Sequence, residues 1–450
     1  MDGAGNATEY REKLRRLYAP LKSEHVLSHN IIVGAGTMLA GALGVAFQVL
    51  LSHQLRPSEF GGVFAVVTLI TVVALPANAF TLLMAREASR DRVHGHYAPS
   101  STLLRRGDRA LIWGGIGIGV CVALSSPLLA SFLNVRVELI LAAAVGLPSA
   151  LALPLLMGEF QGEQRFVALS LLLIGQAGAK LGAAILLGSL FGAPGIIAGI
   201  SLGGAVAYLV ARRTLRRKLS IRPRLPWIRS AASYLAIVMP STLSLAVLLS
   251  SDVLLVKHFF PTQIAGEYAA VAAVGRAIFW GASGVAAVLF PKVIARVSRG
   301  QSGLPLITGS LLLVMAGGLT AVILLAVSST WLLTAFAGRA YAGAAGYLAW
   351  YALGMLLLGG AAILVATHQS QGKAGFLIVL VPLSLLEPAL LVVFHSNLIQ
   401  VVQAVDFSMA SVLAGLAILY VVQERGSRQM NPSIALGPAS AAIRSSGVTP

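Results

Sequence analysis

Apolar runs about 20 residues long recur, separated by short polar breaks, from residue 30 to residue 422. A run of that length lets an α-helix cross about 30 Å of hydrocarbon, and in lipid the backbone groups must bond within their own segment, which makes each run a helix. Twelve spans are expected, at 30–54, 61–84, 110–133, 137–157, 166–190, 193–211, 234–256, 266–290, 305–328, 341–367, 375–395 and 398–422. The fold class is therefore all-α integral membrane. Charged residues make up 11% of the chain and apolar ones 57%, whereas soluble domains carry about 25% charge. This excludes a cytosolic enzyme, a secreted disulfide scaffold and a disordered chain. The single cysteine, Cys121, lies within an apolar run, so neither an intramolecular disulfide nor a cysteine-ligated zinc site is available. Residues 1–29 are polar and basic, without the apolar core and small-residue cleavage site of a signal peptide.

The net charge of +17 would hint at nucleic acid in a soluble protein. Its distribution gives another reason. Of the 33 Lys and Arg, 27 fall in the termini and the even-to-odd breaks; Arg56, Arg136, Lys257 and Arg339 fall on the opposite side, and Lys180 and Arg276 lie inside spans. Loops that stay in the cytoplasm keep an excess of Lys and Arg, so both termini are expected there. Such cations favour anionic membrane lipids by about 1 kcal/mol each near the surface, and no nucleic-acid partner is needed.

The chain also repeats. LLSHQLRPSEFGGVFAVV (50–67) aligns without a gap on LLVKHFFPTQIAGEYAAV (254–271), and Gln161-Gly162 is echoed by Gln371-Gly372. A duplicated unit of six helices inserts both copies in the same orientation and relates them by an axis along the membrane normal. The expected organisation is a basic segment (1–29), an N-lobe (30–211), a basic linker (212–233), a C-lobe (234–422) and a disordered tail (423–450), the lobes enclosing a central cavity suited to alternating access. Gly195, Gly199 and Gly203, and Gly115 and Gly119, form small-residue stripes that let helices approach closely. Pro76, Pro127, Pro148, Pro154, Pro240, Pro382 and Pro388 fall within spans, as hinges or as static bends.

Ionisable groups inside a membrane are costly and mark functional sites by default. They are Lys180, Arg276, Asp252, Glu387 and Asp406, with polar Asn78 and Gln176 beside them. Gln176 and Lys180 are four apart and share a helix face. Arg276 and Lys180, both near mid-membrane, would suit an anionic group such as a phosphate. The other reading is structural ion pairing, Arg276 with Asp252 and Lys180 with Glu387, with Asp252 near the outer end of its span and open to solvent. Glu387, before Pro388, is the first candidate for proton exchange and Asp406 the second. His94 and His96 read as solvated; no metal site or cofactor is expected. The sequence contains no Walker A motif, GxSxG elbow or HExxH pair, and its loops are too short for catalytic domains, which points away from an enzyme.

LRPSEFGGVFAVV (55–67) with Arg86 and Ser89, GEFQGEQRF (158–166), SSDVLLVKHFF with AGEYAAVAAVGR (250–276) and LFPK (289–292) together resemble the bacterial polysaccharide transporters. These are the O-antigen and exopolysaccharide flippases of the multidrug/oligosaccharidyl-lipid/polysaccharide (MOP) superfamily. The resemblance covers roughly residues 29 to 425. It implies two six-helix lobes around a central cavity in the plasma membrane. It also implies movement of undecaprenyl-diphosphate-linked oligosaccharide from the inner to the outer leaflet, in company with glycan polymerase and glycosyltransferases. By position, Arg276 matches the family's basic residue in span 8 and Asp252 the acidic one ending span 7, and Lys180 is a further cavity cation. Together with the intramembrane polar groups read above, this gives an expected substrate set of Arg276, Lys180, Gln176 and Asn78, with Asp252, Glu387 and Asp406 for gating or ion coupling. A multidrug cation antiporter of the same superfamily is the alternative, but span 1 lacks the acidic residue those exporters commonly use. A lipid II flippase usually has fourteen spans. A non-transporting scaffold for envelope glycan enzymes is the alternative of a different class.

Overall fold

The structure, a computed structural model, describes residues 23–94, 98–220, 228–297, 304–372 and 374–430. Among these residues there are helices and turns and no strand. Eleven helical stretches are long and apolar enough to cross a membrane, and Leu377–Val393 is a shorter apolar helix at the expected eleventh span.

In chain order the first six spans are α1 (Ser23–Gln54), α2 (Pro57–Ala74) joined by the 3-10 turn Leu75–Ala77 to α3 (Asn78–His94), α4 (Ala98–Leu124) with the short α5 (Ser126–Phe132), α6 (Val137–Gly162), α7 (Phe166–Phe191) and α8 (Ala193–Thr214). After α9 (Arg216–Leu219) come α10 (Ile228–Leu248) with α11 (Ser251–Phe259), α12 (Thr262–Val297), α13 (Leu304–Ala337), the 3-10 segment Arg339–Tyr347 running into α14 (Leu348–Gln371), α15 (Leu377–Val393) and α16 (Leu398–Met430).

Each expected span is present, and four are interrupted. Pro76 turns the second into a 3-10 step, since its ring removes a helical donor. The third stops at Leu124, where Ser126-Pro127 starts a new helix. The seventh breaks at Leu249-Ser250 and restarts as α11. The tenth begins as nine residues of 3-10 helix. The break between α7 and α8 is made by Gly192 at φ 64, a backbone conformation that glycine adopts without a steric penalty. The tail departs from expectation, because α16 continues to Met430. Residues 1–22, 95–97, 221–227, 298–303, 373 and 431–450 lie outside the described ones, and with them His96, most of the basic segment, the middle of the linker and the end of the tail.

Apart from α2, which packs chiefly on α12, helices α1 to α8 pack mainly on one another around α6, and α12 to α16 gather around α14. The spans built on α6 and α14 are the two most buried, with 67% and 78% of their windows inside the protein. They end at the echoed Gln161-Gly162 and at Gln371, next to Gly372. The longer repeat has the same local shape twice: a helix ends at Gln54 or Phe259, and a second begins at Pro57 or just after Pro261. These two copies meet, with α2 packed along α12. Their contact is backbone to backbone: a Cβ on Gly61 would lie 2.8 Å from Gly266 Cα, and one on Gly266 would run into the Pro57 carbonyl. Only glycines allow this crossing.

Candidate functional site

Two arrangements carry the intramembrane polar groups. The first is a cavity of about 320 Å³ within the first six spans. The α2–α3 kink supplies Val67, Thr71 and Asn78; α6 supplies Ser149 and Met157; α7 supplies Gln176 and Lys180; α8 supplies Ser201. Three residues expected to contact substrate, Asn78, Gln176 and Lys180, therefore share one cavity, and Lys180 is the only charged side chain on its wall. Helical spacing places Gln176 and Lys180 on one face, and the Pro76 kink turns Asn78 toward them. The hydroxyls of Thr71, Ser149 and Ser201 were not singled out by sequence. Each already donates to a backbone carbonyl, to Val67, Gly146 and Ala142 at 2.9, 2.9 and 2.8 Å, which leaves their oxygens free to accept.

The second arrangement lies among the later spans and at their junction with α2. Arg276 Nη2 donates to Asp252 Oδ1 at 3.0 Å, and its Nε to the Tyr351 hydroxyl at 3.1 Å. Tyr351 and Tyr268 then donate to Asp252 Oδ2 at 2.8 and 3.1 Å. From the same guanidinium, Nη1 reaches Thr68 Oγ1 of α2 at 3.5 Å, and the group lies over the Phe64 ring at 5.3 Å from its centroid. All four charged and phenolic groups are buried. Asp252 is thus not solvated at a helix end: the break at Leu249-Ser250 lets α11 turn its carboxylate inward, where Arg276 and two tyrosines satisfy it. Lys257, on the same short helix, is likewise buried rather than a loop cation.

Glu387 of α15 lies against Ser251 and the Asp252 backbone. Neither of its buried carboxylate oxygens reaches hydrogen-bonding geometry. Asp406 of α16 rests beside Gly354 of α14. Among the described residues, no ion pair joins Lys180 to Glu387: Lys180 stays on the cavity wall, whereas Glu387 belongs with Asp252. Arg276 and Lys180 do not share a cleft in this conformation, because Asp252, Tyr351, Thr68 and Phe64 enclose the guanidinium. Phe64, Thr68, Tyr268 and Tyr351 escaped sequence reasoning. The repeat alignment, which sets Phe64 opposite Tyr268, was their one trace. No group of three or more His, Cys, Asp or Glu side chains that could hold a metal ion occurs among the described residues.

At the end of the bundle where charge is sparse, further contacts join the two sets of helices. Ser52 donates to the Phe336 carbonyl at 3.0 Å and Tyr341 to the Leu55 carbonyl at 3.1 Å. His258 stacks on Phe132 at 4.1 Å. That end is closed.

No family model matches the chain, and no curated protein does. Solved structures do. The chain is similar to an inward-facing multidrug resistance MATE transporter of the MOP superfamily, at TM-score 0.73 and 13% identity over 89% of this chain and 99% of that one. It is similar to the lipid II flippase MurJ in an inward closed conformation, at 0.66 and 13% over 87% of each chain. An outward-facing MATE transporter overlays at 0.60, with 13% identity over 90% and 96%. The fold, about twelve helices in one bundle, is the one these solved structures share.

Proposed function

We propose that the protein is a flippase that carries a polyprenyl-diphosphate-linked oligosaccharide across the plasma membrane by alternating access. The observation that carries this reading is the polarity of the cavity: among 18 lining residues one is charged, and it is the cation Lys180. In a low-dielectric wall a lone ammonium attracts phosphate oxygens. Gln176, Asn78 and the lining hydroxyls would orient the head group and first sugars while the lipid tail stays in the bilayer. The two sets of helices act as lobes, 30–211 and 234–422, joined by the basic linker 212–233. The arginine-rich end faces the cytoplasm with both termini. The closed sparse-charge end, and the greater overlap with the inward-facing MATE transporter than with the outward-facing one, support an inward-facing resting state. Arg276 then holds the outer contact through Thr68 and Phe64 and meets the diphosphate only when the lobes part. Asp252, Glu387 and Asp406 serve gating or ion coupling, and glycan polymerase and glycosyltransferases are the expected partners.

A multidrug cation antiporter is the second reading, favoured by the MATE-named neighbours. A lone cation on an acid-free wall opposes it, since it repels cationic drugs. The deciding experiment is translocation of a fluorescent undecaprenyl-diphosphate oligosaccharide in proteoliposomes. Transport by the wild type, loss in Lys180→Ala and recovery in Lys180→Arg support the flippase. No glycan transport, with a cationic dye expelled under a proton gradient, selects the antiporter.

A further inference from the structure

At the arginine-rich end the charges are sorted by depth. Asp91, Asp108 and Glu159 are buried, and Glu87 and Glu163 keep 21% and 17% of their side chains exposed. Each is engaged by a donor: Asp91 by the Ser100 backbone N–H at 2.6 Å, Glu87 by Arg90, and Glu159 and Glu163 by Lys218. Asp108 has a second consequence. It accepts from the Tyr208 hydroxyl at 2.8 Å and from Arg212 Nε at 3.2 Å, which pins the end of α8 to α4, and α9 packs on α4 beside it. Six exposed arginines are thereby gathered on neighbouring helix ends: Arg106, Arg109, Arg212, Arg213, Arg216 and Arg217. None of these five carboxylates is exposed to balance them.

Toward the middle of the bundle the same two helices flank α6. On α6, Ala144 and Pro148 face Gly119 and Gly115 of α4, while Ala142 and Gly146 face Ser201 of α8. Leu141 and Val145 fall between those two faces, on the side away from the Lys180 cavity, and Val145 is 78% exposed. Trp113, 71% exposed, lies one turn from Arg109 on the same face of α4, where an amphipathic ring marks the membrane interface. The surface therefore has an apolar channel with a cationic mouth.

We propose that this face, formed by α4, α6, α8 and α9, binds an anionic phospholipid of the surrounding leaflet. The arginines hold its phosphate and the α4–α8 channel receives its acyl chains. Charge complementarity selects the occupant: guanidinium forks pair with phosphate oxygens, and the neighbouring acids that would compete are already committed. The lipid is distinct from cargo, because the Lys180 cavity opens on another face of α6.

The test uses full-length protein in nanodiscs with Trp113 as the only tryptophan, Trp227, Trp280, Trp331 and Trp350 being replaced by Phe. Brominated phosphatidylglycerol is expected to quench Trp113 severalfold more effectively than brominated phosphatidylcholine at equal mole fraction, and salt is expected to weaken the preference. Replacing Arg106, Arg109, Arg213, Arg216 and Arg217 by Gln should bring the ratio to about one, whereas Arg56→Gln with Arg136→Gln, at the opposite end, keeps it. Equal quenching in the unsubstituted protein overturns the proposal, as does an unchanged ratio in the five-Gln variant. Should that variant not fold, a salt-insensitive ratio in the parent overturns it equally. Stronger quenching by a brominated polyprenyl diphosphate than by phosphatidylglycerol also overturns it and makes the face a cargo-entry site. Neither transport nor membrane orientation enters the readout, so the flippase reading stands or falls separately.

Discussion

The guanidinium of Arg276 and the carboxylate of Asp252 meet at 3.0 Å within a pair of tyrosines, both side chains withdrawn from solvent. The Tyr351 hydroxyl completes a ring, accepting from Arg276 and donating to Asp252. Every charge in the ring is therefore matched within one set of helices, and what reaches α2 is only the weak 3.5 Å bond to Thr68 and the face of Phe64. In the alternating-access cycle proposed above, a strong internal pair with a weak outer contact travels as a unit.

Breaking that ring from one side should be costly. Asp252→Asn takes away the carboxylate paired with the buried Arg276 cation, which destabilises by about 3–5 kcal/mol. Removing both charges in Asp252→Asn/Arg276→Met should recover most of the loss. Thermal unfolding in detergent measures both. An Asp252→Asn protein as stable as the parent would show that Arg276 has another counter-ion.

Reversing the cavity charge should reverse its preference. Lys180→Glu is expected to bind a lipophilic cationic dye at least about tenfold more tightly than the parent, a difference of roughly 1.4 kcal/mol, and to lose diphosphate-lipid transport. Fluorescence anisotropy gives the first and proteoliposomes the second. Unchanged dye affinity would place the cation-sensitive site elsewhere.

Lys218 ties α9 to the end of α6 through Glu159 at 2.5 Å and through Glu163. Burial alone would lower its pKa, but the hydrogen bonds and charges of the two glutamates outweigh burial and raise it above the usual 10.5. A raised folded-state value means that this stabilisation is full below about pH 10.5 and disappears as pH climbs through the folded value. Unfolding midpoints should therefore show no Lys218 contribution to pH dependence between pH 6 and 9, and a decline above 10.5 that Lys218→Met abolishes. Lys218→Met should also destabilise by about 3 kcal/mol at neutral pH, because Glu159 stays buried, and Glu159→Gln in the same chain should restore part of it.

The spans and the Gly192 break were legible because length, hydropathy and glycine act locally. Gln176 and Lys180 were legible as a pair for the same reason, their spacing fixing a shared face. The break at Leu249-Ser250 was not, since neither proline nor glycine marks it. With that break hidden, Asp252 read as a helix-end residue in water. Its partners stand 16, 24 and 99 residues away at Tyr268, Arg276 and Tyr351, a proximity that only packing creates. Thr68 and Phe64 are ordinary residues for an apolar helix, and nothing in their composition announces a cation beside them. That Arg276 and Lys180 occupy separate places followed from the path of α2 between them, which no local pattern encodes.

Gly266 is the position where a single added side chain should change the conformational balance. Its Cα approaches Pro57 so closely that a Cβ would enter the Pro57 carbonyl, and both atoms belong to main chain that cannot rotate away. Gly266→Val therefore wedges α2 from α12 at the sparse-charge end, whereas Gly281→Val, where a Cβ meets nothing within 4 Å, is the matched control. In a Cys121→Ser background with Phe64→Cys as reporter, a membrane-impermeant maleimide should label the Gly266→Val protein about tenfold faster than the parent, about 1.4 kcal/mol toward the open state. The Gly281→Val control should label at the parental rate. If the wedge leaves labelling unchanged while the protein remains folded, α2 and α12 do not form the barrier on that side, and the seal must be sought in the contacts of Ser52, Tyr341 and His258.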